Sequence, residues 1–125
     1  MADAIRARTR VDIPGSDQTK LAIYKWTGLD SDDSGDPVQV PHGADITVQV
    51  YGTFGAGGSL SIQGAAEIVS PTYAILNDSR GEGNAMTFTA ADIRQLQEAP
   101  VLLRPIVTAG DGTTSLTCLI TVRRP

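Results

Sequence analysis

The chain has 125 residues, a length typical of one domain, and its net charge of -4 argues against nucleic acid as a partner. Hydrophobic residues make up 41% of it, and no segment approaches the roughly 20 apolar residues that a membrane span needs. The single cysteine excludes an internal disulfide, and the first ten residues lack the apolar centre of a signal peptide. We therefore expect a protein made in a reducing compartment such as the cytoplasm, with no nucleic-acid or membrane partner.

Residues 1–20 differ from the rest of the chain and predict an extended N-terminal arm that precedes a domain of residues 21–125. Three arginines alternate with small residues and would project from one side of an extended chain: Arg6, Arg8 and Arg10. The large apolar residues are few, chiefly Ile5, Val11 and Ile13. Because ordering each residue costs about 1–2 kcal/mol, we expect the arm to be either loose or held by a partner's surface.

Residues 20–27 read as the first strand of the domain. Tyr24 and the only tryptophan, Trp26, fall on the same face of this strand. Large aromatic rings mark either a core or an interface, so both residues are candidate interface anchors and both are equally candidate core residues.

An acidic loop follows, with five aspartates and no lysine or arginine between residues 28 and 45. Its sequence DSDDSG, residues 30–35, resembles the start of a calcium loop, because side chains with oxygen ligands occupy alternate positions. The twelfth position, however, is Pro41 and not the bidentate glutamate of such a loop. We expect a solvated acidic turn, with an ion site as the alternative.

Residues 45–65 are the segment around which the sequence is organised. Apolar side chains alternate with polar ones before and after a glycine-rich turn at residues 52–58, and this period of two predicts two half-buried strands. We interpret the segment as a β-hairpin. Tyr51, at the end of its first strand, is a further candidate anchor.

The remaining segments predict short strands, one short helix and a final hairpin. Residues 73–76 and 86–88 look extended, whereas Ile93 and Leu96 recur at helical spacing and predict a helix near residues 89–98. Residues 101–107 read as a buried strand in which Pro105 requires an edge or a bulge. Residues 115–123 complete the hairpin with an alternating apolar set: Leu116, Cys118, Ile120 and Val122. The prediction is an all-β fold, an antiparallel β-sandwich or a jelly-roll-like domain.

The sequence offers no recognisable set of catalytic or metal-binding residues. His42 is the only histidine, and it lies in a predicted loop with no orienting partner in view. Cys118 falls on an apolar strand face, where it packs and does not react. His42 and Cys118 are the only histidine and cysteine in the sequence, and two ligands are too few for a zinc site. The glycine-rich turn lacks the lysine of a phosphate loop. We expect a protein that is not an enzyme and has no cofactor or metal.

Three stretches together resemble small virion proteins of tailed bacteriophages. They are QVYGTFGAGGSLSIQG at residues 49–64, YAILND at residues 73–78 and RPIVTAGDGTTSLT at residues 104–117. Proteins of this kind are commonly head decoration or cement proteins, or tail-associated β-proteins. The resemblance implies a shared fold and an assembly context without catalysis, and it leaves the first 44 residues outside.

Two functions follow from the resemblance. In the first, the chain is a capsid cement protein on the virion surface, a homo-oligomer (dimer or trimer) that clamps neighbouring subunits of the major capsid protein. In the alternative, it is a tail- or fibre-associated module that contacts a host receptor or glycan through residues 28–44 and 52–58. The candidate interface residues are Arg6, Arg8, Arg10, Val11, Ile13, Tyr24, Trp26 and Tyr51.

Overall fold

A computed structural model of the chain describes residues 5–11, 21–40, 44–79, 84–98 and 100–123. The described residues form strands in two sheets that enclose an apolar core, and they contain no helix. The predicted all-β class and the antiparallel sandwich are therefore confirmed. Within the described part of the chain, nothing has the helical length and apolar character to cross a bilayer.

Along the chain the strands cross several times from one sheet to the other. In chain order they are β1 (Ile5–Arg6), β2 (Thr9–Val11), β3 (Leu21–Leu29), β4 (Ser34–Gly35), β5 (Val38–Gln39), β6 (Asp45–Thr53), β7 (Ser59–Ala65), β8 (Ala74–Ile75), β9 (Thr87–Phe88), β10 (Asp92–Gln95), β11 (Leu102–Ala109) and β12 (Ser115–Arg123).

The two sheets have different sizes and share a similar plan, with long strands at the centre and short ones at the edges. The five-stranded sheet has the order β10-β6-β12-β3-β2, and all of its pairs are antiparallel. The seven-stranded sheet has the order β1-β4-β11-β7-β8, with β5 also paired to β11 and β9 also paired to β7. β1 pairs with β4 in parallel.

The core lies between the sheets and is built by the alternation that the sequence shows. On β12 the four residues predicted to face inward are buried, and the alternate apolar residues of β6 and β7 are buried opposite them. The largest fully buried side chains include Trp26, Leu29, Ile46, Leu60, Ile62, Met86, Phe88, Leu103, Leu116 and Ile120. The period-two predictions for these strands are thus confirmed.

The predicted β-hairpin at residues 45–65 is wrong, because its two strands belong to different sheets. β6 pairs with β12 and β10, whereas β7 pairs with β11 in the other sheet. The glycine-rich turn therefore crosses from one layer to the other and forms an arch. The predicted final hairpin is wrong for the same reason, since β11 and β12 also lie in opposite sheets.

The helix predicted near residues 89–98 is also absent from that segment, which contains strand β10. Ile93 is exposed whereas Leu96 is buried, so these two residues lie on opposite faces of an extended chain. A three-residue spacing would place both on one face of a helix, which is why the sequence indicated one. The pairing of β10 with four consecutive residues of β6 decides for the strand.

Pro105 lies at the kind of edge that the sequence required. On one side it pairs with Ile62 of β7, and on the other side the neighbouring strands β4 and β5 are separate. Val107 donates to the Asp33 carbonyl on that side, at 2.8 Å. The N–H that proline lacks would therefore point into the gap between β4 and β5.

Residues 5–11, which we call the N-terminal strap, run along their own domain. β1 extends the seven-stranded sheet and β2 extends the five-stranded sheet, so the strap joins both layers at one edge of the sandwich. The strap is extended, as predicted. The expectation that it needs a partner's surface to be held is corrected for these residues, since this chain supplies the surface.

Candidate interaction surfaces

The acidic loop is an ordered turn in which one part of the loop positions the next. The backbone N–H of Asp33 donates to the Asp30 carbonyl at 3.1 Å, and the backbone N–H of Asp30 donates to Oδ2 of Asp33 at 2.9 Å. Asp32 adopts a left-handed backbone conformation with φ of 68°, which aspartate tolerates better than most residues. The loop thus turns sharply while its carboxylates stay fixed.

Trp26 anchors the end of this loop from inside the core. It is completely buried, and its Nε1 donates a 2.9 Å hydrogen bond to Oδ1 of Asp36. A Cβ atom on Gly35 would come within 2.5 Å of the Trp26 ring and 2.7 Å of Pro105, so only glycine fits between them. Of the two roles left open for Trp26, the structure places it in the core of the single chain.

The strap arginines bind the carboxylates of this loop, and we call Asp30, Asp33 and Asp36 the acidic edge. Nε of Arg6 lies 2.7 Å from Oδ2 of Asp33, and its second nitrogen lies 3.1 Å from Asp30. Arg8 lies 2.7 Å from Oδ2 of Asp36. The hydrogen bond and the charge of nearly buried Asp33 raise the pKa of Arg6.

Arg8 and Arg10 also flank the half-buried ring of Tyr24, at 5.6 Å and 5.7 Å from its centroid. Arg10 donates to the Leu21 carbonyl at 3.4 Å. All three arginines therefore project from one side of the strap, as the alternation predicts, and that side faces the strap's own domain. The sequence carried a signal for this arrangement, because five aspartates without a basic neighbour lie in the same chain as the arginine-bearing arm.

The outward side of the five-stranded sheet, which we call the outer face, is formed by the three long strands β6, β12 and β3 and the short strands β10 and β2. Val11 and Tyr51, two of the predicted interface residues, lie on it, and Tyr51 is 40% exposed. Register adds apolar neighbours that sequence reasoning missed: Leu21, Ile23, Ile93 and Leu119. Ile13 lies outside the described residues.

Polar residues separate these apolar side chains on the outer face. Thr47 and Thr121 lie beside Ile23, and Lys25 and Gln49 flank Leu119 on the two neighbouring strands. A shallow groove of about 370 Å³ opens between Asp45, Ile93 and Arg123. The face has the mixture of apolar and hydroxyl groups that protein interfaces tolerate.

The turn between β11 and β12, residues 110–114, crosses between the sheets like the turn at residues 52–58 and is a second arch. Hydrogen bonds join the two arches at one end of the sandwich. Oδ2 of Asp111 accepts from the Ala56 N–H at 2.9 Å, and the Thr114 hydroxyl donates to the Phe54 carbonyl at 2.7 Å. Hydrogen bonds to Asp111, foremost from the Thr113 hydroxyl, lower its pKa to about 2. These bonds use residues 52–58 internally and explain why that turn is ordered.

Exposed apolar residues also occur between β7 and β8 of the seven-stranded sheet. Ile68 and Val69 are 54% and 80% exposed, and Ile75 of β8 is 46% exposed. A groove of about 460 Å³ beside Ile68 is lined by Tyr24, Tyr73 and Arg8 among others.

The described residues bring together no group of three or more histidine, cysteine, aspartate or glutamate side chains able to hold a metal ion. Cys118 is buried at the centre of the five-stranded sheet, and burial raises the pKa of its thiol. His42 lies outside the described residues. At the acidic edge, arginine and tryptophan side chains occupy carboxylate oxygens that a calcium ion would need.

Comparison with known proteins finds neither a matching family model nor a matching curated protein. Solved structures do match. The SPBc2 prophage-derived protein YomS is 14% identical with a TM-score of 0.59, over 82% of this chain and 93% of YomS. An oxalate oxidase is 12% identical with a TM-score of 0.53, over 94% of this chain and 50% of the enzyme. At these identities the likeness establishes a shared fold.

Proposed function

We propose that this protein is a structural component of a bacteriophage particle, a cement protein that lies on the capsid surface and clamps neighbouring subunits of the major capsid protein. The observation that supports this proposal is the fold shared with nearly the whole of a prophage-derived protein. The similarity to oxalate oxidase covers only half of that enzyme, and we propose no catalytic activity for this chain.

We propose the outer face as the surface that meets the capsid. The three long strands β6, β12 and β3 and the two short flanking strands present a flat area of about 500 Å², from strand spacings of about 4.8 Å and rises of about 3.3 Å per residue. Side-chain relief increases the area available for contact. This is of the same order as the roughly 800 Å² that each partner contributes to a standard interface.

The energetic centre of this surface would be Leu119 and its neighbours. Leu119 lies on the middle strand, between Lys25 and Gln49, and remains only partly buried in the single chain. Full burial of an exposed side chain of this size contributes about 1.5–3 kcal/mol, and covering the part of Leu119 that is still exposed contributes a fraction of that. Because many copies act together on a shell, each contact can be modest.

The strap contributes less to capsid binding than the sequence suggested. Arg6 and Arg8 already pair with the acidic edge, so an acidic capsid surface would have to compete with 2.7 Å contacts inside the chain. Val11, which points to the outer face, is the strap residue best placed for the capsid.

Location within the particle is the experiment that tests the proposal. Particles should be labelled with a gold-conjugated antibody to this protein and imaged by electron microscopy. We expect label over the head shell. Label confined to the tail would overturn the cement role in favour of the tail-associated module, and absence from purified particles would defeat both.

A binding experiment tests the proposed face. Purified protein is added back to particles assembled without it, and the bound fraction is measured by sedimentation. We expect Leu119→Asp to weaken binding at least about tenfold, because it places a charge at the centre of the contact. Thr89→Asp, an exposed position away from the outer face, is the matched control and should bind like the unaltered protein.

A further inference from the structure

The acidic edge is positioned by groups that do not belong to the strap. Asp33 is 3% exposed and accepts from the Asp30 backbone, while Asp36 accepts from the fully buried Trp26. Gly35 is wedged between Trp26 and Pro105. The carboxylates therefore form a preorganised site whose geometry is set by the core beneath it.

The strap, in contrast, is held almost wholly by polar contacts. None of its side chains is fully buried, and Ile5 at its start is 73% exposed. Its attachment consists of two short strand pairings, ion pairs from Arg6 and Arg8, and contacts with the Tyr24 ring. Any chain segment with the same backbone and the same alternating arginines could make every one of these contacts.

We propose that the acidic edge, with the adjoining strands β3 and β4, is a docking site for an extended segment with arginine at alternate positions. Its occupant in an assembly is residues 5–11 of a second copy of this chain. The chain's own strap fills the site when the chain is alone. This inference rests on the proposed function in one respect, since a shell of closely packed copies supplies the required concentration.

Charge complementarity and mass action both favour this occupant. Three carboxylates face the guanidinium groups of Arg6 and Arg8, and the contacts in exchange are identical to those within one chain. A tethered segment competes at a local concentration in the millimolar range, so exchange requires copies crowded to a similar density. At lower density the strap stays on its own domain and keeps the edges of β3 and β4 covered.

A peptide experiment tests the docking site. The full-length Arg6→Glu/Arg8→Glu variant repels its own strap from the acidic edge and leaves the site open. We expect a labelled peptide of sequence IRARTRV, residues 5–11, to bind this variant at least about tenfold more tightly than the unaltered protein, by fluorescence anisotropy. Binding should weaken as salt rises, because the pairs are partly exposed.

A control peptide with glutamine in place of the three arginines should not bind. If the variant is folded by circular dichroism and the two peptides bind it equally, or neither binds, the proposed site is wrong. Emission from Trp26 reports on the site as well, since its indole is bonded to the carboxylate that Arg8 contacts.

A second experiment tests the occupant at positions that do not disturb the ion pairs. Thr9 and Lys25 are cross-strand partners on the outer face, close enough for a disulfide. The single variants Thr9→Cys and Lys25→Cys are mixed at about 1 mM and oxidised. We expect a covalent mixed dimer, since the strap of one copy then lies on β3 of the other.

The matched control mixes Thr9→Cys with Thr121→Cys, which lies on the same face one strand further away. The double variant Thr9→Cys/Lys25→Cys should close within one chain when dilute. If it closes but the mixed dimer does not exceed the control, the second copy is not the occupant. Both experiments use purified protein alone, so their failure is distinct from a failure of capsid binding.

Discussion

At one edge of the sandwich the strap joins the two sheets, and at the opposite edge residues 76–79 and 84–96 do so. The opposite edge inserts Met86, Phe88 and Leu96 into the core, all of them buried. The strap inserts no side chain into the core and is fixed by Arg6 and Arg8 through ion pairs. One closure therefore depends on apolar burial and the other on charge.

The opposite edge carries charge as well, since Arg94 lies 3.1 Å from Asp92 and 3.9 Å from the buried Asp78, but this arginine also contacts the core. Arg94 donates to the Thr87 carbonyl at 3.1 Å, and its guanidinium lies 4.9 Å from the centroid of the Phe88 ring. The comparison teaches that the two closures should respond to different perturbations. Cavity-forming substitutions should open the edge closed by Met86, Phe88 and Leu96. Screening or charge reversal should open the strap edge.

The largest effect is expected for Phe88→Ala at the apolar edge. Removal of this fully buried ring leaves a cavity, which should lower the free energy of unfolding by about 3–5 kcal/mol in urea denaturation. Ile93→Ala is the control on the same edge, because Ile93 faces outward and is 59% exposed. Similar losses for both variants would contradict the apolar character assigned to this closure.

A smaller loss is expected for Asp33→Asn at the strap edge. The amide cannot pair with Arg6 as a carboxylate does, and a buried hydrogen-bonding group is weakened, so we expect a loss of about 1–3 kcal/mol. Asp32→Asn is the control, because asparagine also tolerates the left-handed conformation of this exposed residue. If Asp33→Asn leaves the free energy of unfolding unchanged, the acidic edge does not contribute to stability.

Acid should destabilise the arches through Asp111. The folded pKa of Asp111, about 2, lies below its ordinary value of 3.8. The resulting stabilisation is present above pH 3.8 and is lost as the pH falls through about 2. We expect the thermal midpoint of Asp111→Asn to fall less between pH 5 and pH 2 than that of the unaltered protein, as measured in thermal melts. An identical pH dependence in the two proteins would exclude Asp111 as a source of the acid sensitivity.

Salt should release the strap with the smallest effect on the domain. In 1 M NaCl the Debye length falls to about 3 Å, so cleavage by trypsin after Arg8 and Arg10 should rise severalfold while the thermal midpoint changes by only about 2 °C. Cleavage of a short reporter peptide at the same salt concentration corrects for the enzyme. A fall in the midpoint that parallels strap cleavage would mean that the two closures are not independent.

The sequence predicted the strands better than their partners. Alternation on β6, β7 and β12 requires a buried face, and each predicted face is buried. The same alternation is satisfied whether two successive strands pair in one sheet or face each other across the core. Glycines at residues 52–58 permit a hairpin and an arch alike, so the turn composition could not distinguish them.

The candidate site was predictable only in part, because its contacts join distant residues. The alternation of Arg6, Arg8 and Arg10 showed that they share a side. The aspartate partners of Arg6 and Arg8, however, lie 24 to 28 residues further along the chain. Nothing local to Trp26 indicates that its indole bonds to Asp36 in the core. The apolar neighbours of Val11 and Tyr51 became evident only from strand register.

Cys118 is a native probe for opening of the whole domain. Its thiol lies in the middle of the central strand β12 and is shielded on both sides by β6 and β3. A thiol reagent can reach it only when the sheet itself separates, whereas departure of the strap leaves it shielded. The rate of labelling therefore reports the opening of the whole domain, without an engineered probe.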